Sequence, residues 1–454
     1  VFKMSYLEYK NYYFIGIGGI GMSAMAEYVL SINKNIAGYD REESFSTNRL
    51  ESLGVKIINQ DNPDYINLKF KENKKTLVVF TPAISSSNSI LKYFKKNKFK
   101  IIKRSDLLAE VVNSKFCIAI AGTHGKTTTT SILSHILFNS KLKFTSFIGG
   151  IIRGYESNII LNGNKIFLVE ADEYDKTFLK INPNIASIIN IDGDHYDIYS
   201  NIYDLKKSFK KFTRNLKDGG ILFHDSSLNF NGFSFGFDSK SNAQIINLTH
   251  TNGKSIFDIK INEDIFRNVE LNMPGTHNAM NALVAFLIAI ELKVEPQTIL
   301  NSLKSFPGVK RRFSIELHDP KVFIDDYAHH PSEILSVYNS IISIYPNKKN
   351  LVIFQPHLFS RTKDFLIDFA RALEKFDKIA LLDIYPAREE PIKGISSKSI
   401  LDHINNKNKL LISKSEIYDL VKEDESELII SMGAGDIGNE VESIKQVLIE
   451  SNEN

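Results

Sequence analysis

The chain has 454 residues, 43% of them hydrophobic and 24% charged, which is enough for about two to four domains of ordinary size. Its 56 basic and 53 acidic residues give a net charge of +3, too balanced to indicate a surface for nucleic acid or for membranes. The single cysteine, Cys117, excludes an intrachain disulfide, and the absence of a signal-peptide region or of an apolar stretch of about 18 residues predicts a cytoplasmic protein without membrane insertion.

The first predicted elements are a strand, a glycine-rich turn and a helix. An apolar run from Tyr12 to Ile15 leads into the GxGxxG pattern at Gly16 to Gly21, and a helical pattern follows from Met22 to Ile32. A second strand ends at Asp40, about twenty residues further on. This spacing is typical of a loop that binds the diphosphate of a nucleotide, because the backbone can approach the phosphates closely. NAD, another nucleotide diphosphate and a purely structural turn are all compatible with the pattern.

A second glycine-rich turn follows the apolar strand Phe116 to Ile120. It reads Gly122-Thr123-His124-Gly125-Lys126-Thr127-Thr128 and precedes a helical pattern that runs to Phe138. This arrangement predicts a phosphate loop, in which backbone N–H groups and the helix N-terminus bind phosphate oxygens, the lysine reaches the β and γ phosphates and the next hydroxyl binds Mg²⁺. Ile120 replaces the first glycine of the common pattern, so the turn is tighter. A turn that only caps a helix is the alternative.

Two polar segments follow the next predicted strands. Glu170-Ala171-Asp172-Glu173-Tyr174-Asp175 comes after a strand at 166–169, and Asp192-Gly193-Asp194-His195-Tyr196-Asp197 comes after a strand at 185–191. Carboxylates at the end of a buried strand are costly unless they bind a cation. We therefore predict a metal site that includes Glu170 and His195. An exposed acidic turn and a structural histidine are the alternatives.

Short alternating segments and the most apolar helix of the chain come next. Residues 219–270, which contain Asn-Gly turns, predict antiparallel strands at the edge of a sheet. Pro274 to Asn281 then open the apolar helix, where His277, Asn278 and Asn281 suit ligand contacts and helix caps equally well. A basic linker, from Phe306 to Phe313, indicates the start of another domain.

The last third of the chain predicts a parallel sheet. Apolar strands at 322–325, 351–354, 378–382, 409–412 and 428–431 alternate with helical patterns. The carboxyl ends of parallel strands share one edge, so four polar clusters should meet there, at 325–331, 355–361, 383–390 and 433–436. The His, Arg, Tyr and Asp residues of these clusters predict a second site.

Motifs along nearly the whole chain resemble those of the Mur ligases, the ATP-dependent amino-acid ligases of peptidoglycan synthesis. They are GIGGIGMS at 16–23, GTHGKTTT at 122–129, EADEYD at 170–175, GDHYD at 193–197, GTHNAMN at 275–281, DDYAHHP at 325–331, QPHLFSR at 355–361 and GAGDI at 433–437. Their common order makes the resemblance far more specific than any one motif.

The resemblance implies an α/β fold of three domains. Residues 1–105 would form a Rossmann-like domain for a UDP-sugar, residues 106–311 a central P-loop-type ATPase domain with a mainly parallel sheet, and residues 312–454 a Rossmann-like α/β domain for the amino acid. The implied reaction uses ATP and Mg²⁺, with two ions per site, to join L-alanine to the lactyl carboxylate of UDP-N-acetylmuramic acid through an acyl phosphate. A related ligase with another amino-acid or peptide donor is the alternative.

The resemblance also implies roles for individual residues. The UDP-sugar site would include Gly16, Gly18, Gly19, Gly21, Met22, Ser23 and Asp40. The ATP site would include Gly122, Thr123, His124, Gly125, Lys126, Thr127, Thr128, His277, Asn278, Asn281, Arg312 and Asp326. The metal ligands would be Thr127, Glu170 and His195, and the amino-acid site would consist of Tyr327, His329, His357 and Arg361. Lys126, Glu170, His195 and His329 would be catalytic, with His329 as the candidate base.

One of the departures from the family pattern lies in the QPH motif. Some members have arginine directly after the histidine of the QPH motif, where this chain has Leu358. The contact to the alanine carboxylate would then fall to Arg361 or Arg388. Two other classes of protein fit less well. A dehydrogenase leaves the phosphate loop unexplained, and a non-catalytic nucleotide-sugar-binding protein leaves Lys126 and Glu170 unexplained.

Overall fold

The computed structural model describes residues 5–193, 198–251, 253–387 and 389–451. Within these residues the strands form three sheets, of five, ten and six strands. Helices and strands alternate along most of this length, which confirms the predicted α/β class. No helix in the described ranges is both long enough and apolar enough to cross a membrane.

The first sheet is parallel and belongs to the N-terminal region. Its strands are β1 (Asn11–Ile15), β2 (Asn35–Tyr39), β3 (Lys56–Ile58), β4 (Thr76–Phe80) and β5 (Lys100–Lys103), in the order β3-β2-β1-β4-β5. Its helices are α1 (Ile20–Ser31), α2 (Phe45–Ser52), α3 (Ser89–Lys96) and α4 (Arg104–Asn113). The strand order reverses between β1 and β4, so the loops that follow these two strands border the crevice in which such sheets bind ligands.

The central sheet is longer and mainly parallel around β6. Its strands are β6 (Phe116–Ala121), β7 (Phe144–Phe147), β8 (Ile159–Leu161), β9 (Ile166–Ala171), β10 (Ile185–Ile188), β11 (Ile221–Asp225), β12 (Phe233–Gly236), β13 (Ala243–Thr251), β14 (Lys254–Ile261) and β15 (Asp264–Leu271). Their order is β15-β14-β13-β12-β11-β10-β6-β9-β7-β8. The helices of this region are α5 (Lys126–Asn139), α6 (Ile202–Thr213), α7 (Thr276–Glu291) and α8 (Pro296–Ser305). Because β10, β6 and β9 are parallel neighbours, the loops after them meet at one edge.

The strands within residues 219–270 are not all antiparallel, so that prediction is wrong in part. Three consecutive pairs are parallel: β10 with β11, β11 with β12, and β12 with β13. The connections between them carry the chain back to the same end of the sheet, whereas the predicted tight turns would have reversed its direction.

The C-terminal sheet is parallel except at one edge. Its strands are β16 (Ser314–Leu317), β17 (Val322–Asp326), β18 (Asn350–Phe354), β19 (Lys378–Leu381), β20 (Lys409–Leu411) and β21 (Leu428–Met432), in the order β16-β17-β21-β18-β19-β20. The helices are α9 (Pro331–Ile344), α10 (Phe359–Asp364), α11 (Leu366–Leu373), α12 (Ser397–His403), α13 (Ile417–Glu423) and α14 (Val441–Glu450). The five predicted strands are confirmed as parallel, and β16, which was not predicted, pairs antiparallel with β17.

The described residues divide into two compact units. One comprises those among 1–244, 260–264 and 281–303, and the other those among 245–259, 265–280 and 304–454. In the first unit a single buried cluster joins residues of the N-terminal sheet, such as Phe14, to residues of the central sheet, such as Val169. An ion pair of 2.6 Å between Lys180 and Asp106 lies in the same unit. The domain boundaries near residues 105 and 311 stay predictions.

Candidate functional site

The predicted phosphate loop lies between β6 and α5, in the strand–turn–helix setting that the sequence indicated. Gly122 has φ +141° and Gly125 has φ +82°, in the region that side chains rarely adopt. A Cβ atom at Gly125 would also lie 2.4 Å from Asn281 Oδ1. The loop therefore needs glycine at Gly125 for both its backbone conformation and its packing.

The ammonium of Lys126 lies inside the turn. Its Nζ donates to Gly122 O at 2.6 Å and to Glu173 Oε2 at 2.8 Å, and Glu173 Oε1 lies 3.0 Å away. Burial alone would lower the pKa of Lys126, but the carboxylates of Glu173, Asp172 and Glu170 together raise it above its ordinary value. Lys126 is therefore a charged group at neutral pH.

Two of the three predicted metal ligands meet beside this lysine. Thr127 Oγ1 donates to Glu170 Oε2 at 3.0 Å, and Gly149 N donates to Glu170 Oε1 at 2.5 Å. Hydroxyl and carboxylate oxygens are the ligands that Mg²⁺ prefers, so this donor set fits that ion. Within the described ranges no group of three or more His, Cys, Asp or Glu side chains could hold a metal ion. His195, the third predicted ligand, lies outside the described residues.

The segment after β10 fixes the shape of the phosphate loop. Asn190 Oδ1 accepts the His124 N–H at 2.8 Å, and Asn190 Nδ2 donates to His124 O at 3.1 Å. Thr123 Oγ1 accepts the Asp192 N–H at 2.9 Å, and His124 Nε2 lies 3.5 Å from Asp192 Oδ2. The predicted residues Thr123 and His124 thus have structural partners that sequence reasoning missed. Thr128 is buried on the first turn of α5.

The three residues of α7 that were predicted to contact ATP have different surroundings. Asn281 lies near the phosphate loop, where its Oδ1 accepts a hydrogen bond from Thr129 Oγ1 at 3.2 Å. Asn278 is buried and donates to Pro274 O at 2.6 Å, and His277 is exposed on the first turn. Asn278 therefore helps to form the start of the helix. Its ATP contact and that of His277 stay predictions.

The first glycine-rich loop connects β1 to α1. Gly16 has φ +82°, and the Gly18 N–H donates to Asp40 Oδ2 at 2.7 Å. A Cβ atom at Gly18 would lie 2.9 Å from that oxygen, and one at Gly21 would lie 3.0 Å from the Arg104 guanidinium. Asp40, at the end of β2, is thus hydrogen-bonded to the loop.

Three more predicted residues of this loop lie at the start of α1. Gly19 O accepts the backbone N–H groups of Met22 and Ser23, both at 2.9 Å. The side chains of Met22 and Ser23 are buried, and Ser23 Oγ accepts a hydrogen bond from Asn158 Nδ2 at 3.0 Å. These residues shape the helix start, and their contact with a UDP-sugar stays a prediction.

The residues predicted to bind the amino acid lie together at one edge of the C-terminal sheet. The rings of His329 and His357 have centroids 6.1 Å apart, and Tyr327 lies 5.3 Å from His329. Arg361 is 8% exposed, and its Nη1 lies 3.5 Å from His357 Nδ1. Tyr385, which was not singled out, stacks on His357 with centroids 5.7 Å apart. The predicted convergence of these clusters is confirmed.

Leu358 occupies a position that favours glycine. Its φ is +72°, and its side chain is buried. Its N–H donates to Tyr385 O at 3.0 Å, and the Tyr385 N–H donates to Pro356 O at 2.8 Å. This pair of bonds holds the strained turn at the start of α10, the helix on which Arg361 is buried. Arg388, the other candidate for the carboxylate contact, lies outside the described residues.

Arg312 and Asp326 lie where the linker enters the C-terminal sheet. Asp326 accepts the N–H groups of Phe313 at 2.6 Å and Ala328 at 2.7 Å, so both of its oxygens hold the backbone. Burial raises the pKa of Asp326 to about 6, against the opposing effect of Arg312. The Arg312 guanidinium lies 5.0 Å from the centre of the Tyr327 ring. The ATP contacts of Arg312 and Asp326 stay predictions.

Family models match three consecutive parts of the chain. "Mur ligase family, catalytic domain" matches residues 11–116, "Mur ligase middle domain" matches residues 120–289, and "Mur ligase, glutamate ligase domain" matches residues 311–436. The chain belongs to the Mur ligase family. The resemblance inferred from the sequence motifs is thereby confirmed.

Relatives within the Mur ligases match over nearly the full length. A UDP-N-acetylmuramate–L-alanine ligase of Christiangramia forsetii is 46% identical over 97% of this chain and 98% of its own. One of Parabacteroides distasonis is 39% identical over 96% of both chains. The crystal structure of a UDP-N-acetylmuramate–alanine ligase from Thermotoga maritima is similar with a TM-score of 0.82, at 27% identity over 97% of this chain and 99% of that one. The mixed α/β fold of three domains agrees with that structure.

Sequence reasoning missed the partners of several predicted site residues. Glu173 was one of several carboxylates in an acidic segment, and nothing in the sequence distinguished it as the partner of Lys126. Asn190 lies two residues after the end of β10, at a position that the sequence assigned to the strand itself, and Tyr385 lies in a recognised polar cluster. The position at the carboxyl end of a parallel strand was therefore the signal that could have identified both.

Proposed function

We propose that this chain catalyses the ATP-dependent ligation of L-alanine to UDP-N-acetylmuramic acid, a step of peptidoglycan synthesis in the cytoplasm. The proposal is carried by one observation: Lys126, Thr127 and Glu170 lie together at the carboxyl edge of the central sheet. This set suits phosphoryl transfer. The substrates are inferred from relatives named UDP-N-acetylmuramate–L-alanine ligase, which match almost the whole chain.

The reaction must activate a carboxylate, which is a poor electrophile because it is an anion. An oxygen of the lactyl carboxylate attacks the γ-phosphorus of ATP, the bond to the β-phosphate oxygen breaks, and ADP leaves. The alanine amine then attacks the carbonyl carbon of the acyl phosphate. The carbon–oxygen bond to phosphate breaks, the nitrogen loses a proton, and the products are the amide, ADP and inorganic phosphate.

Lys126 and the loop backbone have the main role in the first step. The two reacting groups are both anions, and the ammonium of Lys126 reduces their repulsion when it contacts the transferred phosphoryl group. Thr127 and Glu170 would hold Mg²⁺, which supplies further charge neutralisation when bound. We include His195 as the third ligand, and a second ion at the same site, on the family resemblance.

The first glycine-rich loop is the proposed diphosphate site of the UDP-sugar. It lies after β1, where the strand order of the N-terminal sheet reverses, and its glycines bring the backbone to the surface. Asp40 fixes Gly18 within this loop. The diphosphate would thus bind on a different sheet from the phosphates of ATP.

The amino-acid site is proposed around His329 and Arg361. Arg361 would bind the alanine carboxylate, because a guanidinium can pair with both oxygens. His329 Nδ1 lies 2.9 Å from Tyr327 O, a hydrogen-bond acceptor. The proton therefore lies on Nδ1, and Nε2 is the basic nitrogen that would accept the proton of the alanine ammonium.

An oxygen-isotope experiment tests this reaction course. UDP-N-acetylmuramic acid labelled with ¹⁸O in its lactyl carboxylate is incubated with ATP and L-alanine, and the inorganic phosphate is analysed by mass spectrometry. One labelled oxygen should appear in the phosphate, because the carboxylate oxygen stays with phosphorus when the acyl phosphate is aminolysed. Unlabelled phosphate formed together with the amide would contradict the acyl phosphate.

A further inference from the structure

The ammonium of Lys126 is surrounded by protein oxygens. An ammonium has three N–H donors. Its Nζ lies within hydrogen-bonding distance of four oxygens, at 2.6 Å from Gly122 O, 3.2 Å from Thr123 O, and 2.8 and 3.0 Å from the two oxygens of Glu173. A nucleotide phosphate must therefore displace or share at least one of these contacts.

Glu173 is the only one of these partners with a full charge, and it is held firmly. Its side chain is fully buried, whereas that of Lys126 is 13% exposed. Glu173 O accepts the Tyr199 hydroxyl at 2.7 Å and the Lys176 N–H at 3.0 Å. Two hydrogen bonds thus fix the backbone of Glu173 while its carboxylate pairs with Lys126. A buried carboxylate is costly unless it is paired, so the pair is a fixed part of the site.

The local charges also oppose a phosphate. The carboxylates of Glu170 and Asp172 act on Lys126 together with that of Glu173. These three carboxylates outnumber the one ammonium on which they act, and each of them repels an incoming phosphate. Of the three, Glu173 contacts Lys126 directly and competes with phosphate for the same N–H groups.

We propose that Glu173 is a positioning residue that holds Lys126 in the phosphate loop before a nucleotide binds. When the nucleotide binds, one of the hydrogen bonds between the Lys126 ammonium and Glu173 is replaced by one to a nucleotide phosphate. The inference deepens the proposed function, since it requires that this loop binds the phosphates of ATP. Glu173 lowers the affinity for nucleotide and in return fixes the position of Lys126. It thereby favours contacts that Lys126 makes with the transferred phosphoryl group.

The main test is nucleotide binding by Glu173→Gln, which removes the charge and keeps the shape. The dissociation constant of ADP is measured by calorimetry without Mg²⁺, so that Lys126 contributes most of the charge on the protein side. Glu173→Gln should bind ADP about tenfold more tightly, a change that corresponds to about 1.4 kcal/mol. In turnover with Mg²⁺, both the KM for ATP and kcat should fall, because Lys126 binds phosphate readily but is no longer fixed.

Asp172→Asn is the matched control. It removes the same charge one residue away, from a carboxylate that accepts the Tyr174 N–H at 3.2 Å. It should change the ADP dissociation constant by less than about threefold, because an indirect charge is screened. Equal tightening in both variants would show a general charge effect and overturn the inference. So would unchanged or weaker ADP binding in a folded Glu173→Gln protein.

Failure of the inference and failure of the proposed function give different results. If the wild-type protein binds no ADP at this loop, the proposed function is wrong. If the wild type binds ADP and Glu173→Gln is no tighter, the inference alone is wrong. Should Glu173→Gln not fold, Tyr199→Phe decides, because it loosens the backbone of Glu173 and keeps both charges. ADP binding at least about twofold tighter supports the inference, and unchanged or weaker binding overturns it.

Discussion

The hydroxyl of Thr127 donates a 3.0 Å hydrogen bond to Glu170, a residue 43 positions later in the chain. The two side chains come from the helix after β6 and from the end of β9, and the parallel pairing of these strands brings them together. The other oxygen of Glu170 accepts the Gly149 N–H. The donor set proposed for Mg²⁺ is therefore held in place by the first turn of α5 and by the loop after β7.

The first prediction concerns Glu170 and Mg²⁺. Glu170→Gln should raise the Mg²⁺ concentration needed for half-maximal turnover by about 10- to 100-fold, because an amide is a weaker ligand than a carboxylate. Phosphate release is measured as Mg²⁺ is varied. Wild-type turnover that persists in excess chelator would show that the metal assignment is wrong.

The second prediction concerns the buried pair of Lys126 and Glu173. Lys126→Ala should abolish turnover and lower the free energy of unfolding by about 3–5 kcal/mol, because Glu173 stays buried without that partner. The double variant Lys126→Ala/Glu173→Gln should regain much of the stability and none of the activity. Urea denaturation and phosphate release measure the two effects.

Binding of the UDP-sugar is the control for Lys126→Ala. The two glycine-rich loops follow strands of different sheets, so calorimetry should give a nearly unchanged dissociation constant for UDP-N-acetylmuramic acid. A parallel loss of sugar binding would contradict the assignment of the two loops to separate ligands.

The third prediction concerns Gly18. A Cβ atom there would lie 2.8 Å from Thr47 Cγ2 and 2.9 Å from Asp40 Oδ2, in the loop that we propose for the diphosphate. Gly18→Val should therefore raise the KM for the UDP-sugar far more than the KM for ATP. Steady-state kinetics with each substrate varied in turn measures the difference. A larger effect on ATP would mean that the two nucleotide sites are exchanged.

The fourth prediction concerns the alanine carboxylate. Arg361→Lys should raise the KM for L-alanine by at least about tenfold, since a bidentate charge-assisted pair is reduced to a point contact. The KM values for ATP and the UDP-sugar should change little. Arg388→Lys is the comparison, and an alanine defect in that variant alone would assign the contact to Arg388.

The fifth prediction concerns acid sensitivity. His135 Nδ1 lies 2.7 Å from the Tyr155 hydroxyl, and burial lowers the pKa of His135 to about 4. In the unfolded chain its pKa is about 6.5, so the unfolded state binds more protons between these values. Its contribution to stability is complete above about pH 6.5 and is lost as the pH falls towards 4. His135→Gln should therefore lose less unfolding free energy than wild type between about pH 7 and pH 5. Equal losses in urea denaturation would contradict this.

The strands that carry the site were predictable because they are short apolar runs that end in glycine or polar residues. β6, β9 and β17 to β19 were recognised in this way, and so were the loops that follow them. Parallel pairing then places those loops at one edge, which is why the meeting of Thr127 with Glu170 and of His329 with His357 could be anticipated.

Other features depend on contacts that no local pattern records. Lys126 pairs with Glu173, and the backbone carbonyl of Glu173 accepts the hydroxyl of the distant Tyr199. Asp40 stands at the usual distance in sequence after the glycine-rich loop, but the spacing did not indicate that its carboxylate accepts the N–H of Gly18 in that loop. Leu358 adopts a backbone conformation that its residue type does not favour. Its backbone hydrogen bonds to Tyr385 and to α10 stabilise that conformation.

The most direct test of the proposed function is phosphate release by the wild-type protein with ATP, Mg²⁺ and UDP-N-acetylmuramic acid, with one amino acid or peptide added at a time. L-Alanine, glycine, L-serine and a tripeptide are compared. Rapid release should require all components and should be fastest with L-alanine, with one equivalent of amide formed for each phosphate. Release that is independent of the amino acid, or that occurs with the tripeptide and not with L-alanine, would contradict the account.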